Sequence, residues 1–359
     1  MAAKTNGSQV HDLLPRHLPP YEPGKAYTLK SFEGEILYIP CSNSAMRLLV
    51  TGKETEGAFA IVGTGGGQSA PIGFHYHREA HDIFLCLKGA CNVWAGDKCR
   101  TMSPGDLASV PPGVVHQYQI LGDHTEFIGL IVPGSWIDFF RAIAEPYAGP
   151  MWPLVDARNP FEVLIPKLKL AAERFDMVPQ PHHPSCEPQP WDGTENVLPG
   201  KLDAYYLQAN KGPKYLVEGL VVKPMATTKE SAGRFAIGSL EGSSYHTNSV
   251  LNSTMRFTDV HHALHVVDGE LQITIDGSTT TLKPFETVYI PKGSDFRLRI
   301  ASRYAKAYTF ASGGGLLEML CELGDTYEHS MLPEQQGQSK GDSERLSSIA
   351  STYGCHITR

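Results

Sequence analysis

The chain has 359 residues, 41% of them hydrophobic, and carries a net charge of -7 with no basic stripe. That length exceeds what one core usually supports, so two domains of roughly 150 to 180 residues are expected. The acidic balance speaks against nucleic acid as a partner and leaves a small molecule as the expected one.

Residues 1–25 hold Pro15, Pro19, Pro20 and Pro23 but no continuous apolar run. An extended arm is expected there, with neither a signal peptide nor a membrane helix, so the default location is cytoplasmic. Seven cysteines, at 41, 86, 91, 99, 186, 321 and 355, are odd in number and lack paired zinc-type spacing, which predicts reduced thiols. Residues 26–177 read as the first β domain. Apolar and polar residues alternate around Tyr38, Leu48 and Phe59, Gly63 to Gly67 form a flexible run, and strands continue to about Val132. Pro133-Gly134 then breaks the pattern. Ser135 is the predicted cap of a helix carrying Trp136, Phe139, Phe140 and Ile143, and a second helix over 161–175 packs through Val163, Leu164, Leu168 and Ala171. Pro166 kinks that helix or marks its true start. Residues 178–200 contain six prolines and are expected to be a semi-rigid linker. A second β domain follows over 201–330. In the tail, 331–359, the polar stretch from Pro333 to Arg345 is expected to be mobile, and Leu346 to Tyr353 to form a short helix.

One series in the first domain carries chemistry. His75 and His77 are separated by one residue, so on a strand both side chains face the same way, and Asp82 can return on the next strand. Gly89 supplies a turn, and Pro111-Pro112-Gly113 sets another just before His116. Three imidazoles and a carboxylate suit a divalent transition metal with positions left open for substrate or dioxygen. His75, His77, Asp82 and His116 are therefore the candidate metal ligands, with Asp82 and His116 the candidate catalytic residues. Glu79 is expected on a solvated loop, and His81 should point opposite to Asp82. Parity puts Phe84 beside Asp82 and Tyr118 beside His116, whereas Phe74 and Tyr76 face away. Phe127, Trp136 and Phe139 are expected to close the mouth of a pocket for a flat aromatic substrate, lined also by Phe84 and Tyr118.

The chain also contains itself twice. Lys53, Glu54, Gly57, Phe59, Ala60 and Ile61 recur as Lys229, Glu230, Gly233, Phe235, Ala236 and Ile237, an offset of 176. Gly89, Pro111 and Gly113 recur as Gly269, Pro291 and Gly293, an offset of 180. Carried across, the four candidate ligands become Met255, Phe257, His262 and Phe296, so the second domain is expected to have lost its metal. His261, His262 and His265 are read as ordinary core histidines, because one strand cannot point all three inward.

These motifs resemble those of the cupins. His75 to Gly89 is similar to the first cupin motif, with Asp82 in place of the usual Glu, and Gly105, Pro111, Gly113 and His116 match the second at every spacing. The resemblance implies an all-β fold with short helices, a duplicated cupin (double-stranded β-helix, or jelly-roll, barrel), with 26–177 as barrel 1 and 201–330 as barrel 2. Phe84 two residues after the carboxylate, Gly105-Asp106 leading to Val110-Pro111, and Thr125-Glu126 leading to Val132-Pro133-Gly134 resemble the flavonol (quercetin) dioxygenase family of bicupins. In that family one metal in the N-terminal barrel, held by three histidines and a glutamate, binds the substrate enolate and lets dioxygen open the ring with loss of carbon monoxide. The implied function is a metal-dependent dioxygenase of a flavonol-like or polyketide-derived phenol or enol, in secondary metabolism. The implied cofactor is one divalent ion, iron or copper before nickel, cobalt or manganese, with dioxygen as co-substrate. Two alternatives stay open: a metal-assisted isomerase, cyclase or decarboxylase that uses no dioxygen, and a non-catalytic ligand-binding bicupin. A homodimer also stays open. Asp82, one methylene shorter than Glu, ligates directly or acts as a base.

Overall fold

A computed structural model describes residues 22–152, 156–336 and 343–358, so nearly all of the expected N-terminal arm lies outside the described residues. Strands dominate, as the alternating pattern requires. In the first barrel, Glu35–Tyr38, Ser44–Val50, Ala60–Gly66, His75–Tyr76, His81–Ala95, Lys98–Met102, Leu107–Val110 and His116–Val132 belong to one 11-stranded sheet. The second barrel repeats the order in an eight-stranded and a five-stranded sheet. Among the described residues no helix is long and apolar enough to cross a membrane.

The duplication is visible in the registers. Arg47 pairs with Gly63 and Gly65 with Glu126 in barrel 1, just as Lys223 pairs with Ser239 and Glu241 with Lys306 in barrel 2. The repeated Lys-Glu segment is a buried turn. The Glu54 carboxylate accepts the Thr51 backbone N–H at 2.9 Å, and Glu230 accepts that of Thr227 at 2.9 Å. Thr55 and Ser231 then donate their hydroxyls to the carbonyls of Phe59 and Phe235, at 2.6 Å each. Buried carboxylates satisfied in this way close the turn ahead of the next strand.

Two short strands pair across the barrels. Tyr27–Leu29 pairs with Thr287–Ile290 of barrel 2, and Tyr205–Leu207 pairs with Leu107–Val110 of barrel 1. Division at the linker is thereby corrected: each barrel lends a strand to the other. The two lent tyrosines are anchored alike, Tyr27 to the Leu49 carbonyl at 2.9 Å and Tyr205 to that of Met225 at 2.7 Å. Between the barrels lies one apolar core, with Phe59, Ile61, Ile83 and Leu130 packed on Phe235, Ile237, Tyr289 and Phe310.

Several local expectations are also corrected. Gly63 to Gly66 is strand, because neighbours on both sides take its backbone hydrogen bonds. At Gly66 the reason for glycine is space, since a β-carbon would come within 2.8 Å of the Asn43 carbonyl. Gly89 marks a bulge inside the long strand His81–Ala95 rather than a turn; its φ is +67°, and a β-carbon would run into the His124 carbonyl. Ser135 lies within a 3-10 turn, Gly134–Ile137, that leads into the helix Asp138–Ile143, so it is not the cap. Pro166 sits in the first turn of the helix Ile165–Arg174, where its missing N–H costs nothing, and a short helix, Pro160–Val163, precedes it. The linker does not hang free. Its first residues, Val178–Pro179, pair with His75–Tyr76, and its Cys186 carbonyl accepts the Trp94 indole N–H at 2.8 Å. At the other end, the terminal helix runs Ser343–Thr352 and is followed by a strand, Cys355–Thr358, that pairs with Thr254–Phe257. Part of the polar stretch before it, 337–342, lies outside the described residues.

Where the first barrel holds its histidines, the second is packed with hydrocarbon. Met255, Phe257 and Phe296 are at most 1% exposed, and the two phenylalanine rings stack at 6.1 Å. His262 packs on both rings while its Nε2 accepts the Leu316 backbone N–H at 3.0 Å. Replacing Phe296 by Ala should therefore cost about 3–5 kcal/mol of stability, read from the denaturant midpoint, and should leave the metal content of the protein unchanged. An unchanged midpoint would show that the ring is not core.

Candidate metal centre

The site begins with two cross-strand neighbours. His75 and His116 pair directly, so their side chains leave the same face of the barrel wall. Tyr76 turns the other way, and His77 comes back to the inner face. The Pro111-Pro112-Gly113 turn closes beside it, with Gly113 at φ +82° donating its N–H to the His77 carbonyl at 2.7 Å.

Backbone carbonyls orient all three rings. His75 Nδ1 lies 2.9 Å from the Gly73 carbonyl, His116 Nδ1 lies 2.9 Å from that of Val114, and His77 Nδ1 bonds the Asp176 carbonyl. A carbonyl can only accept, so each Nδ1 carries the proton and each Nε2 presents a lone pair to the centre. The three ligand nitrogens lie within 4.8 Å of one another. Asp82 completes the group: its Oδ2 is 3.2 Å from His77 Nε2 and 3.3 Å from His116 Nε2.

Electrostatics agree with a cation site. His75 is pushed down to about 3, first by the surrounding protein and then by the neighbouring imidazoles, so it is neutral. Burial alone would raise the Asp82 carboxyl, but His77 and His116 outweigh it and hold the group well below the usual carboxylate range. Burial lowers the His77 imidazole, and the Asp82 carboxylate more than reverses that. Among the described residues, His77 Nε2, His116 Nε2 and Asp82 Oδ1 are buried without a hydrogen-bond partner. Each such orphan costs about 1–3 kcal/mol. A divalent transition metal among three imidazole nitrogens and a carboxylate would satisfy them together, so the donor set fits the ion.

The aromatic residues separate into two groups. Phe84, Tyr118 and Phe127 form one cluster inside the barrel, with ring centroids 5.1–6.0 Å apart, and Phe84 lies 6.3 Å from His116. Phe127 is thus wall rather than mouth. Trp136 stands edge-on to His77 at 4.7 Å, and Phe139 stacks behind it with Phe140 and Phe175. Phe139 supports Trp136, which corrects its place at the mouth. Phe74 faces away, onto Trp94 and His183. Glu79 is exposed, and His81 bonds Ser109 at 2.8 Å on the opposite face.

Asp176 is the residue that sequence reasoning missed. Its carboxylate accepts the backbone N–H groups of Arg78, Glu79 and Ala80 at 2.8, 2.7 and 3.3 Å. Its carbonyl holds His77 and also accepts the Trp136 indole N–H at 3.1 Å. Nothing in the residue's type announces this, since a carbonyl belongs to every residue and Asp176 lies 99 positions from His77.

Comparison with known proteins bears on the fold and the family likeness. The cupin domain model matches residues 61–132. Quercetin 2,3-dioxygenase of Bacillus subtilis (strain 168) is 24% identical over 313 residues, covering 86% of this chain and 88% of its own. The Aspergillus japonicus enzyme of the same name is 27% identical over 318 residues, covering 80% and 89%. The chain is a bicupin resembling quercetin 2,3-dioxygenases. Solved structures share the fold: the Ylba protein of E. coli superposes with a TM-score of 0.53 at 11% identity, covering 81% of this chain and 92% of its own. Oxalate decarboxylase of Bacillus subtilis superposes at 0.50 and 16%, covering 83% and 78%.

In this bicupin, Asp176→Ala keeps the carbonyl that holds His77 but removes the carboxylate that caps residues 78–80, so that carbonyl and the His77 ring lose their fixed position. Metal affinity should fall about 10- to 100-fold in a competitive chelator titration, as expected when the support behind a ligand is lost. Unchanged affinity would assign Asp176 a structural role alone.

Proposed function

We propose that this bicupin is a metal-dependent dioxygenase acting on a phenolic or enolic aromatic small molecule, flavonol-like or polyketide-derived. The observation that carries the reading is the convergence of three Nε2 lone pairs and Asp82 inside a barrel walled by Phe84, Tyr118 and Phe127. His75, His77, His116 and Asp82 would hold the ion, iron or copper before nickel, cobalt or manganese. Bound there, a divalent transition metal supplies Lewis acidity that favours the ionised form of a phenol or enol by several kcal/mol and makes it reactive toward dioxygen.

The protein's own groups do the rest. Asp82 stays ionised, which suits it to hold the ion, and the imidazoles that keep its carboxyl low make it a weak acceptor for the substrate hydroxyl proton. Phe84 and Phe127 offer ring faces against which a flat substrate packs while water is kept out. Burial keeps the Tyr118 phenol protonated, so it can donate a hydrogen bond to a substrate oxygen. His75 is the least covered of the three imidazoles, and substrate would approach from its side. Support for dioxygen as co-substrate comes from the likeness, end to end, to two proteins named quercetin 2,3-dioxygenase.

The test is oxygen uptake by the metal-loaded protein with flavonols and polyhydroxylated polyketides, in air and under argon. Substrate loss should match oxygen consumed in air and stop under argon, and His116→Ala should lose both bound metal and turnover. Turnover that continues under argon would move the assignment to isomerase, cyclase or decarboxylase chemistry.

A further inference from the structure

The duplicated barrels contain an internal comparison on their outer faces. In barrel 2 the Glu241 carboxylate lies 2.8 Å from Lys223 Nζ and 3.4 Å from Lys306 Nζ, and accepts the Tyr304 hydroxyl at 3.2 Å. The same register positions of barrel 1 hold Arg47, Gly65 and Glu126. The cation is kept and its carboxylate is gone. Glu126, standing where Lys306 would be, does not replace it, because its Oε1 already takes Lys88 Nζ at 3.1 Å and His124 Nε2 at 2.7 Å.

Two polar atoms are left over as a result. Among the described residues, Arg47 Nη1 is buried without a partner, and so is Nε2 of His265, contributed by barrel 2. His265 is 1% exposed, and burial followed by the Arg47 charge pushes it down to about 3, so it is neutral. Thr287 Oγ1 lies 2.9 Å from its Nδ1. In the tautomer in which that hydroxyl donates to Nδ1, Nε2 carries the ring proton and is a donor beside the guanidinium; in the other it is an acceptor. Both side chains line one cleft of about 140 Å³, together with Phe32, Tyr147 and Trp152. The Phe32 ring lies 5.2 Å from the guanidinium, and the Trp152 indole would be 3.5 Å from a β-carbon on Gly65.

We propose that this cleft binds a small aromatic carboxylate, whose carboxylate takes the place that Glu241 fills in barrel 2 and pairs with Arg47 and His265. Glu126 also lines the cleft and offsets the Arg47 charge in part, so the contacts open to a carboxylate are the buried Arg47 Nη1 and His265 Nε2. The tryptophan and tyrosine wall takes the ring, and a single ring is the limit of size, since a cavity of roughly 150 Å³ holds benzene. The site lies outside the metal-binding barrel, and the proposal stands apart from the dioxygenase reading.

Isothermal titration of the full-length protein with benzoate, benzamide and acetate tests this. Benzoate should bind once per chain, with benzamide and acetate about tenfold weaker or more, as loss of a charge-assisted contact or of the ring requires. Gly65→Glu would supply the missing carboxylate from the chain itself, and its β-carbon meets its neighbours at 3.5 Å or beyond. That variant should lose benzoate binding, and Arg47→Met should weaken binding about tenfold or more. Absence of benzoate heat, benzamide or acetate binding as tightly as benzoate, or undiminished binding by either variant would overturn the proposal.

Discussion

The site depends on three carbonyl groups that fix three imidazole rings. Gly73, Val114 and Asp176 each occupy an Nδ1, and so turn every Nε2 lone pair toward one point. Two of these carbonyls lie two residues ahead of the histidine they hold, so the local backbone brings its own constraint. The third comes from the segment between the helix Ile165–Arg174 and the linker, and depends on the whole first barrel closing. Asp82 then sets a carboxylate beside the Nε2 atoms of His77 and His116, and a cation at that point would meet these buried acceptors together.

The architecture around that point explains its rigidity. Tyr27–Leu29 and Tyr205–Leu207 stitch each barrel into the other's sheet, and the apolar layer between them leaves little freedom for relative motion. The linker is bound along barrel 1 and pairs at Val178–Pro179 with the strand that bears His75. Duplication has freed the second barrel from ligation. Its equivalent cavity is closed by Met255, Phe257 and Phe296, so it serves the site by buttressing the first.

Much of this was legible in the sequence, and the reasons can be named. His75, His77, Asp82 and His116 were readable because strand parity has a period of two and the Pro111-Pro112-Gly113 turn fixes the return. The duplication was readable because a buried turn demands the same residues twice, Glu54 and Glu230 above all. The exchanged strands were not, since three residues carry too short a pattern. Glycine misled twice: Gly63 to Gly66 reads as loop by composition but is held by strands on both sides, and Gly89 reads as a turn but relieves a bulge. Asp176 was hidden because its carbonyl acts, and Phe139 because helical spacing does not tell a lining residue from the one behind it.

Metal-edge X-ray absorption of the purified protein tests the central claim most directly. Three imidazole nitrogens and one oxygen donor should surround a single ion per chain, with no sulfur in the first coordination sphere. Fewer than three imidazoles, or a thiolate among the ligands, would contradict the account.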